Sequence, residues 1–148
     1  MKPKIYLDTC SIQRPLDSKS QLRVRLEAEA VLGILSLVER DQIDLVSSEV
    51  LLFEINRNSN QIRQEYGQEV MLKAKTFVRA SAKVERRSKQ FHKLGLKPLD
   101  AVHLASAEEA KANYFCTCDD DFLKKTKKIQ GLKTKVVSPL ELAEEISK

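Results

Sequence analysis

Lys4-Ile5-Tyr6-Leu7-Asp8-Thr9-Cys10-Ser11 is a short apolar run of strand formers that stops at an acid. A strand so near the start of a chain belongs in the middle of a parallel sheet, where both faces are buried. Asp8 then sits at the carboxyl end of that strand. In open α/β sheets this edge is where ligands bind. A turn residue or Asx cap is the plain alternative for Asp8.

The rest of the chain repeats the pattern of short apolar run and amphipathic helix. From about Gln21 to Arg40, Leu22, Leu26, Ala30, Ile34 or Leu35, and Val38 step at helical spacing. Ile43-Asp44-Leu45-Val46 reads as a second strand. Ser47 and Ser48 offer caps for a helix from Val50 to Asn56. After a polar break at Asn58-Ser59-Asn60, the spacing predicts one long helix over Gln61 to Ser81, with Val70, Ala74, Phe77 and Val78 inward. Ala82-Lys83-Val84 reads as a short third strand, and Glu85 to Leu94 as a helix ended by Gly95. A helix follows Pro98 and runs to about Asn113, with Ala101, Val102, Leu104 and Ala105 inward. Tyr114-Phe115-Cys116-Thr117 is a buried strand, and Phe122 to Lys128 is a short helix. Val136-Val137 is the last strand, and Ser138-Pro139-Leu140-Glu141 is a capping box that opens the final helix. Strands alternating with helices predict a three-layer α/β/α sandwich around a mainly parallel sheet, one domain over residues 1–148.

Four acids occupy junctions of this pattern. Asp8 follows the first strand, and Glu54 lies in the helix after the second. Asp100 opens the helix after Pro98, and Asp119 follows the Tyr114 strand. In a parallel sheet the carboxyl ends share one edge, so these residues converge. Two carboxylates ~4 Å apart repel by about 4 kcal/mol at an effective dielectric of 20, so stability alone would not gather four of them. Either the group takes up protons or it binds cations. An all-oxygen set suits Mg²⁺ or Mn²⁺, and such ions serve phosphodiester hydrolysis. For Asp100, capping of its helix is the competing role.

The totals agree. Lys and Arg number 26 against 21 Asp and Glu, a net +5, and much of the excess falls in two runs. Lys83 to Lys97 holds six cations against Glu85, and Lys124 to Lys135 holds six lysines and no acid. These runs predict a rim that draws a polyanion toward the acids, the alternative being solvated faces. Arg14 and Arg23 are candidates for further phosphate contacts. Three cysteines without a CxxC pair exclude a disulfide framework and a zinc knuckle, and Cys116 and Cys118 read as core residues. His103, in the third turn-facing position after Asp100, reads as a packed core histidine, with phosphate or substrate binding as the alternative. No 18-residue apolar run and no signal-peptide core appear, so a cytoplasmic protein off the membrane is expected.

Taken together, four stretches resemble the motifs of PIN domains, the nuclease domain of VapC-like toxins. Ile5-Tyr6-Leu7-Asp8-Thr9 is similar to the opening strand and first acid. Ser48-Glu49-Val50-Leu51-Leu52-Phe53-Glu54 is similar to the second motif, with Glu54 in the acidic place. Leu99-Asp100-Ala101-Val102-His103-Leu104-Ala105 resembles the most specific motif, and Thr117-Cys118-Asp119-Asp120-Asp121-Phe122 the fourth. Cys10 stands where the family commonly has Asn or Ser. The resemblance implies Mg²⁺- or Mn²⁺-dependent cleavage of single-stranded RNA. It implies that Asp8, Glu54, Asp100 and Asp119 hold the metal, with Thr9, Thr117 and Asp121 in support. It also implies a toxin role, an antitoxin partner and a homodimer. The alternative reading is a PIN-fold RNA-binding or regulatory protein without catalysis, against which the presence of all four acids weighs. A phospho-acceptor receiver domain would want a lone acceptor Asp after a third strand, and the sequence has none.

Overall fold

A computed structural model describes residues 2–148. Five strands form one sheet in the order β3-β2-β1-β4-β5. They are β1 (Lys4–Leu7), β2 (Asp44–Ser48), β3 (Thr76–Val78), β4 (Tyr114–Cys116) and β5 (Lys135–Val137). Every pairing is parallel, with Ile5 opposite Leu45 on one side and Tyr114 on the other. As read from the sequence, β1 is central, and Ile5, Tyr6 and Leu7 are fully buried. Between them run α1 (Thr9–Gln13), α2 (Leu22–Glu39), α3 (Glu49–Asn56), α4 (Gln61–Leu72), α5 (Ala82–Lys93), α6 (Pro98–Glu109), α7 (Asp120–Lys127) and α8 (Pro139–Ile146).

From β1 the chain winds outward to β2 and β3, then crosses back to β4 and β5. Right-handed crossovers therefore put α2 and α4 on one face and α5, α6 and α7 on the other. α8 packs on α2, and α5 packs on α6. The result is the α/β/α sandwich that the sequence predicts. The reversal of direction opens a crevice between the carboxyl ends of β1 and β4, the switch point at which such sheets bind ligands. The β1 end is tied to β4 there by the Asp8 amide, which donates to the Cys116 carbonyl at 3.2 Å.

Three local expectations are corrected. The helix expected over 61–81 stops at Leu72, and Thr76-Phe77-Val78 is a strand paired with Val46-Ser47-Ser48. β-Branched and aromatic residues favour a pleated sheet, and the Lys75 amide docks onto the Leu45 carbonyl at 3.1 Å. The apolar spacing from Val70 to Val78 spans two elements by coincidence. Ala82-Lys83-Val84 is then the first turn of α5, not a strand, because Ser81 caps it by accepting from the Val84 amide at 3.2 Å. α6 ends at Glu109, four residues early. Lys111 adopts a left-handed φ of 58° there, a stop that glycine would have announced and lysine does not.

The stripe on α2 is also rotated. Leu22 and Leu26 are exposed, and the buried face is Glu27, Ala28, Val31, Ile34, Leu35 and Val38. Glu27 can turn inward because Arg14 and Arg23 neutralise it at 3.1 and 3.4 Å.

Candidate active site

Asp8 leaves β1 and caps α1. Its Oδ1 accepts from the Ser11 amide at 3.0 Å and from the Cys10 thiol at 3.1 Å. Asp119 leaves β4 and caps α7 in the same way, its Oδ1 accepting from the amides of Asp121 and Phe122 at 3.0 and 3.3 Å. The capping role and the sheet-edge position thus coincide at both acids. Asp100 is different. The N-cap of α6 is Lys97, and Asp100 lies in the first turn beyond Pro98, so its carboxylate is not the cap. Glu54 projects from α3, and its Oε1 accepts from the Thr9 hydroxyl at 2.8 Å and meets His103 Nε2.

These four acids, drawn from four separate stretches of chain, line one cavity of about 400 Å³ together with Thr9, Cys10 and His103. Gln13, Asp17 and Arg63 complete its wall. Glu49 is exposed on the first turn of α3 and does not line it. Thr117 is buried beside the pocket, where its hydroxyl accepts from the Asp119 amide at 3.0 Å. Asp121 is exposed and pairs with Lys125 at 3.1 Å, so its carboxylate lies outside the lining.

The electrostatics follow from this crowding. Burial pushes the Asp8 carboxyl above its ordinary value, against hydrogen bonds from Thr117, Cys10 and Ser11 that favour the anion. Burial also raises Asp100, and the charges of Asp119 and Asp8 raise it further, with partial relief from the charge of Lys97. For Glu54 burial likewise pushes upward, but the hydrogen bonds from His103 and Thr9 and the charge of Arg57 outweigh it and leave Glu54 lowered. The pocket thus holds two acids that resist ionising and one that is held ionised.

An oxygen-rich, mutually repelling set of this kind suits a hard divalent cation. Among the described residues no three His, Cys, Asp or Glu side chains stand close enough to form a finished cage. The acids share a wall rather than a closed ligand set.

The basic runs divide. Lys83 and Arg87 pair with Glu109 and Glu108 at 3.6 and 2.7 Å. Those glutamates end α6, and eight and nine residues at 1.5 Å each put them about 12–14 Å along the helix from Asp100. Lys135 opens β5 at the opposite edge of the sheet and pairs with Glu145 at 2.7 Å. No residue of either run lines the pocket, and Lys97 is the one whose charge reaches Asp100. Arg14 and Arg23 are engaged within the protein: Arg14 with Asp17 and Glu27, Arg23 in a two-pronged pair with Asp120 at 2.7 and 2.6 Å.

The cation in the pocket wall is Arg63 of α4, steered by Asp17 at 2.9 Å and by the Leu16 carbonyl at 3.2 Å. No sequence signal marks it. Gln13 could have been found, since it lies four residues beyond Thr9 on the same helix face, while His103, read as a core histidine with substrate binding as the alternative, is both buried and in the pocket lining. Cys116 and Cys118 are buried, as read, and the Ser11 hydroxyl lies 3.7 and 3.8 Å from their sulfurs.

No curated protein sequence matches the chain. Among solved structures it is similar to FitAcB from Neisseria gonorrhoeae, with a TM-score of 0.59 and 17% identity over 92% of this chain and 98% of that one. It is similar to VapBC2 from Rickettsia felis, bound to a DNA fragment from their promoter, with a TM-score of 0.57 and 13% identity over 91% and 98%. It is also similar to VapC20 from Mycobacterium tuberculosis, a sarcin–ricin loop cleaving toxin, with a TM-score of 0.55 and 16% identity over 80% and 92%. At such identities these likenesses speak for the fold. The PIN domain family model matches residues 5–128 and so takes in all four acids. The chain belongs to the PIN domain family.

Proposed function

We propose that the protein is a Mg²⁺- or Mn²⁺-dependent endoribonuclease that hydrolyses phosphodiester bonds of single-stranded RNA, and that it acts as the toxin of a toxin–antitoxin pair. The observation that carries this reading is the convergence of Asp8, Glu54, Asp100 and Asp119 in one pocket at the switch point of the sheet, with Asp8 and Asp100 raised by burial. A bound divalent ion would supply an activated water and offset charge on the scissile phosphate. The four acids would hold it. Asp8 and Asp119 are steadied by the helices they cap, and Glu54 by Thr9 and His103. Thr117 fixes the turn that carries Asp119, and Asp121 contributes its backbone amide to the Asp119 carboxylate. Lys97 and Arg63 draw the polyanion to an otherwise acidic mouth.

The toxin role rests on VapC20, which is a toxin that cleaves the sarcin–ricin loop, and on membership of the PIN family. An antitoxin that covers the acids, a homodimeric assembly and a cytoplasmic setting belong to the same proposal. No helix among the described residues is long and apolar enough to cross a membrane. One continuous apolar core, from Ile5 to Leu142, supports a single PIN-like domain over residues 1–148.

The test is cleavage of total RNA by the purified chain with Mn²⁺ or Mg²⁺. Excess chelator, Asp8→Asn and Asp100→Asn should each abolish it. Variants that cut at the wild-type rate, or cleavage that survives the chelator, would overturn the proposal.

A further inference from the structure

Beside the pocket, five side chains form a hydrogen-bonded chain, of which the nuclease reading uses the Glu54 end and leaves Ser48 and Tyr6 without a role. Ser48 ends β2 and caps α3 by accepting from the Leu51 amide at 3.2 Å. Its Oγ lies 2.7 Å from the hydroxyl of Tyr6. The Tyr6 hydroxyl lies 2.6 Å from His103 Nδ1. His103 Nε2 meets Glu54 Oε1, which also accepts from Thr9. Ser48 and Tyr6 are fully buried, and His103 is 2% exposed.

We infer that His103 is a positioning residue for Glu54, and that Ser48 and Tyr6 act on it by fixing which of its nitrogens carries the proton. The direction of the chain follows from counting donors. The Ser48 oxygen takes the Leu51 N–H, so its own proton must go to a buried acceptor, and the Tyr6 oxygen is the neighbour in reach. The Tyr6 proton then points to His103 Nδ1. A neutral ring that accepts at Nδ1 carries its proton at Nε2, and that N–H donates to Glu54. Reversing the chain leaves the Ser48 proton without a partner in a dry interior and turns a nitrogen lone pair toward a carboxylate. Buried polar networks are stable only when every member is satisfied.

The ring that sets this order cannot swing. Tyr6 stacks on Phe115 at 5.0 Å and 12°, and meets His103 edge-on at 5.7 Å and 69°. Two donors, Thr9 and His103, therefore converge on Oε1 of Glu54. Oε2 is left as the oxygen that turns to a ligand in the pocket. Outer hydrogen bonds of this kind orient the group that touches the ion, and losing one typically costs 10–100-fold in affinity or activity. The part of this inference that concerns a bound ion rests on the nuclease reading; the tautomer does not.

The first measurement is the ¹⁵N spectrum of the histidine side chains in the full chain without metal at pH 7, with His92→Gln to assign the two rings. His103 should show a proton on Nε2 and a bare Nδ1. In Tyr6→Phe, which keeps the stack on Phe115 but removes the hydroxyl, that single state should give way to a mixture. A proton on Nδ1 in the wild type, or an unchanged spectrum in Tyr6→Phe, overturns the inference.

The second measurement is Mn²⁺ affinity by calorimetry and cleavage of single-stranded RNA. His103→Ala should weaken Mn²⁺ binding and lower kcat at least tenfold, with KM for RNA within about twofold. His103→Gln, whose amide can still donate to Glu54, should recover much of both. Equal Mn²⁺ affinity and kcat in wild type and a folded His103→Ala protein, or a folded His103→Gln protein no better than His103→Ala, would refute the positioning role. Failure of the wild type itself to bind Mn²⁺ and cut RNA would instead sink the nuclease reading, and the spectrum would still decide the direction of the chain.

Discussion

Replacing Asp100 by Asn should stabilise the protein in metal-free buffer while destroying its activity. Asp100 is half-buried in the first turn of α6, where burial raises its pKa and the charges of Asp119 and Asp8 raise it further. Two carboxylates ~7 Å apart at an effective dielectric of 20 repel by about 2 kcal/mol, and salt screens part of that. The amide forgoes about 0.5 kcal/mol of attraction to the helix N-terminus and less than ~1 kcal/mol from exposed Lys97. Repulsion wins, and the net gain is about 1 kcal/mol. For a domain of this size that raises Tm by about 2–4 °C.

The pH dependence has a definite sign. Folding raises the Asp100 pKa, so the native state holds that proton more tightly than the unfolded chain. The stability of the neutral carboxyl is complete below the unfolded value of about 4 and is lost as pH rises through the raised native value. The Asn variant has no such loss. Thermal melts in chelator should therefore differ little near pH 4 and separate toward pH 7.5, with the variant higher. Added Mn²⁺ should reverse the order, since a cation that binds only the folded wild type stabilises it by mass action. An Asn variant that melts below the wild type in chelator at pH 7.5 would refute the reasoning, because it would mean that the Asp100 charge is favourably paired.

Other perturbations probe the frame around the pocket. Gly67 lies in α4 where an added Cβ would stand 2.9 Å from Ile55 Cγ2 and 3.3 Å from Gln13 Nε2. Gly67→Ala gains about 1 kcal/mol of helix propensity but overpacks a site that costs about 1–3 kcal/mol. The urea midpoint should fall, and a rise would contradict the close seat of α4 on α1 and α3. Phe115 is 1% exposed between Tyr6 and Phe122, with ring centroids at 5.0 and 5.2 Å. Phe115→Ala should cost about 3–5 kcal/mol in chemical denaturation. Lys97→Ala should weaken RNA binding about equally for different sequences and reduce the slope of log K against log salt by roughly 0.7. An unchanged slope would remove Lys97 from the RNA path.

Much of this arrangement is legible before any coordinates. The run from Lys4 to Asp8 places the central strand, and the acid after it, because a buried parallel strand needs an unbroken apolar run and a junction needs a cap. The Ser138 capping box is equally local, and the Glu141 carboxylate closes it at 3.0 Å. What the sequence hides depends on contacts made at a distance. Thr76-Phe77-Val78 shares its apolar spacing with α4, and only pairing with β2 makes it a strand. The α2 face turns on Glu27, a polar residue that is buried because Arg14 from the turn before the helix and Arg23 one turn back on it meet it. The basic runs look continuous, but a helix and a strand carry parts of each to opposite ends of the molecule. His103 reads as a core residue and is one by burial. Its partners, Tyr6 and Glu54, lie 97 and 49 residues away, so nothing local shows that its ring nitrogens are aimed.

The most direct test of the account is calorimetric titration of Mn²⁺ into the metal-free wild type and into Asp8→Asn at pH 7.5. Saturable binding by the wild type, weakened at least tenfold by the loss of one carboxylate that lies 46 residues from Glu54 in sequence and 111 from Asp119, is the predicted result. Equal binding by both proteins, or none by a folded wild type, would show that the acids at this edge of the sheet were not gathered for a cation.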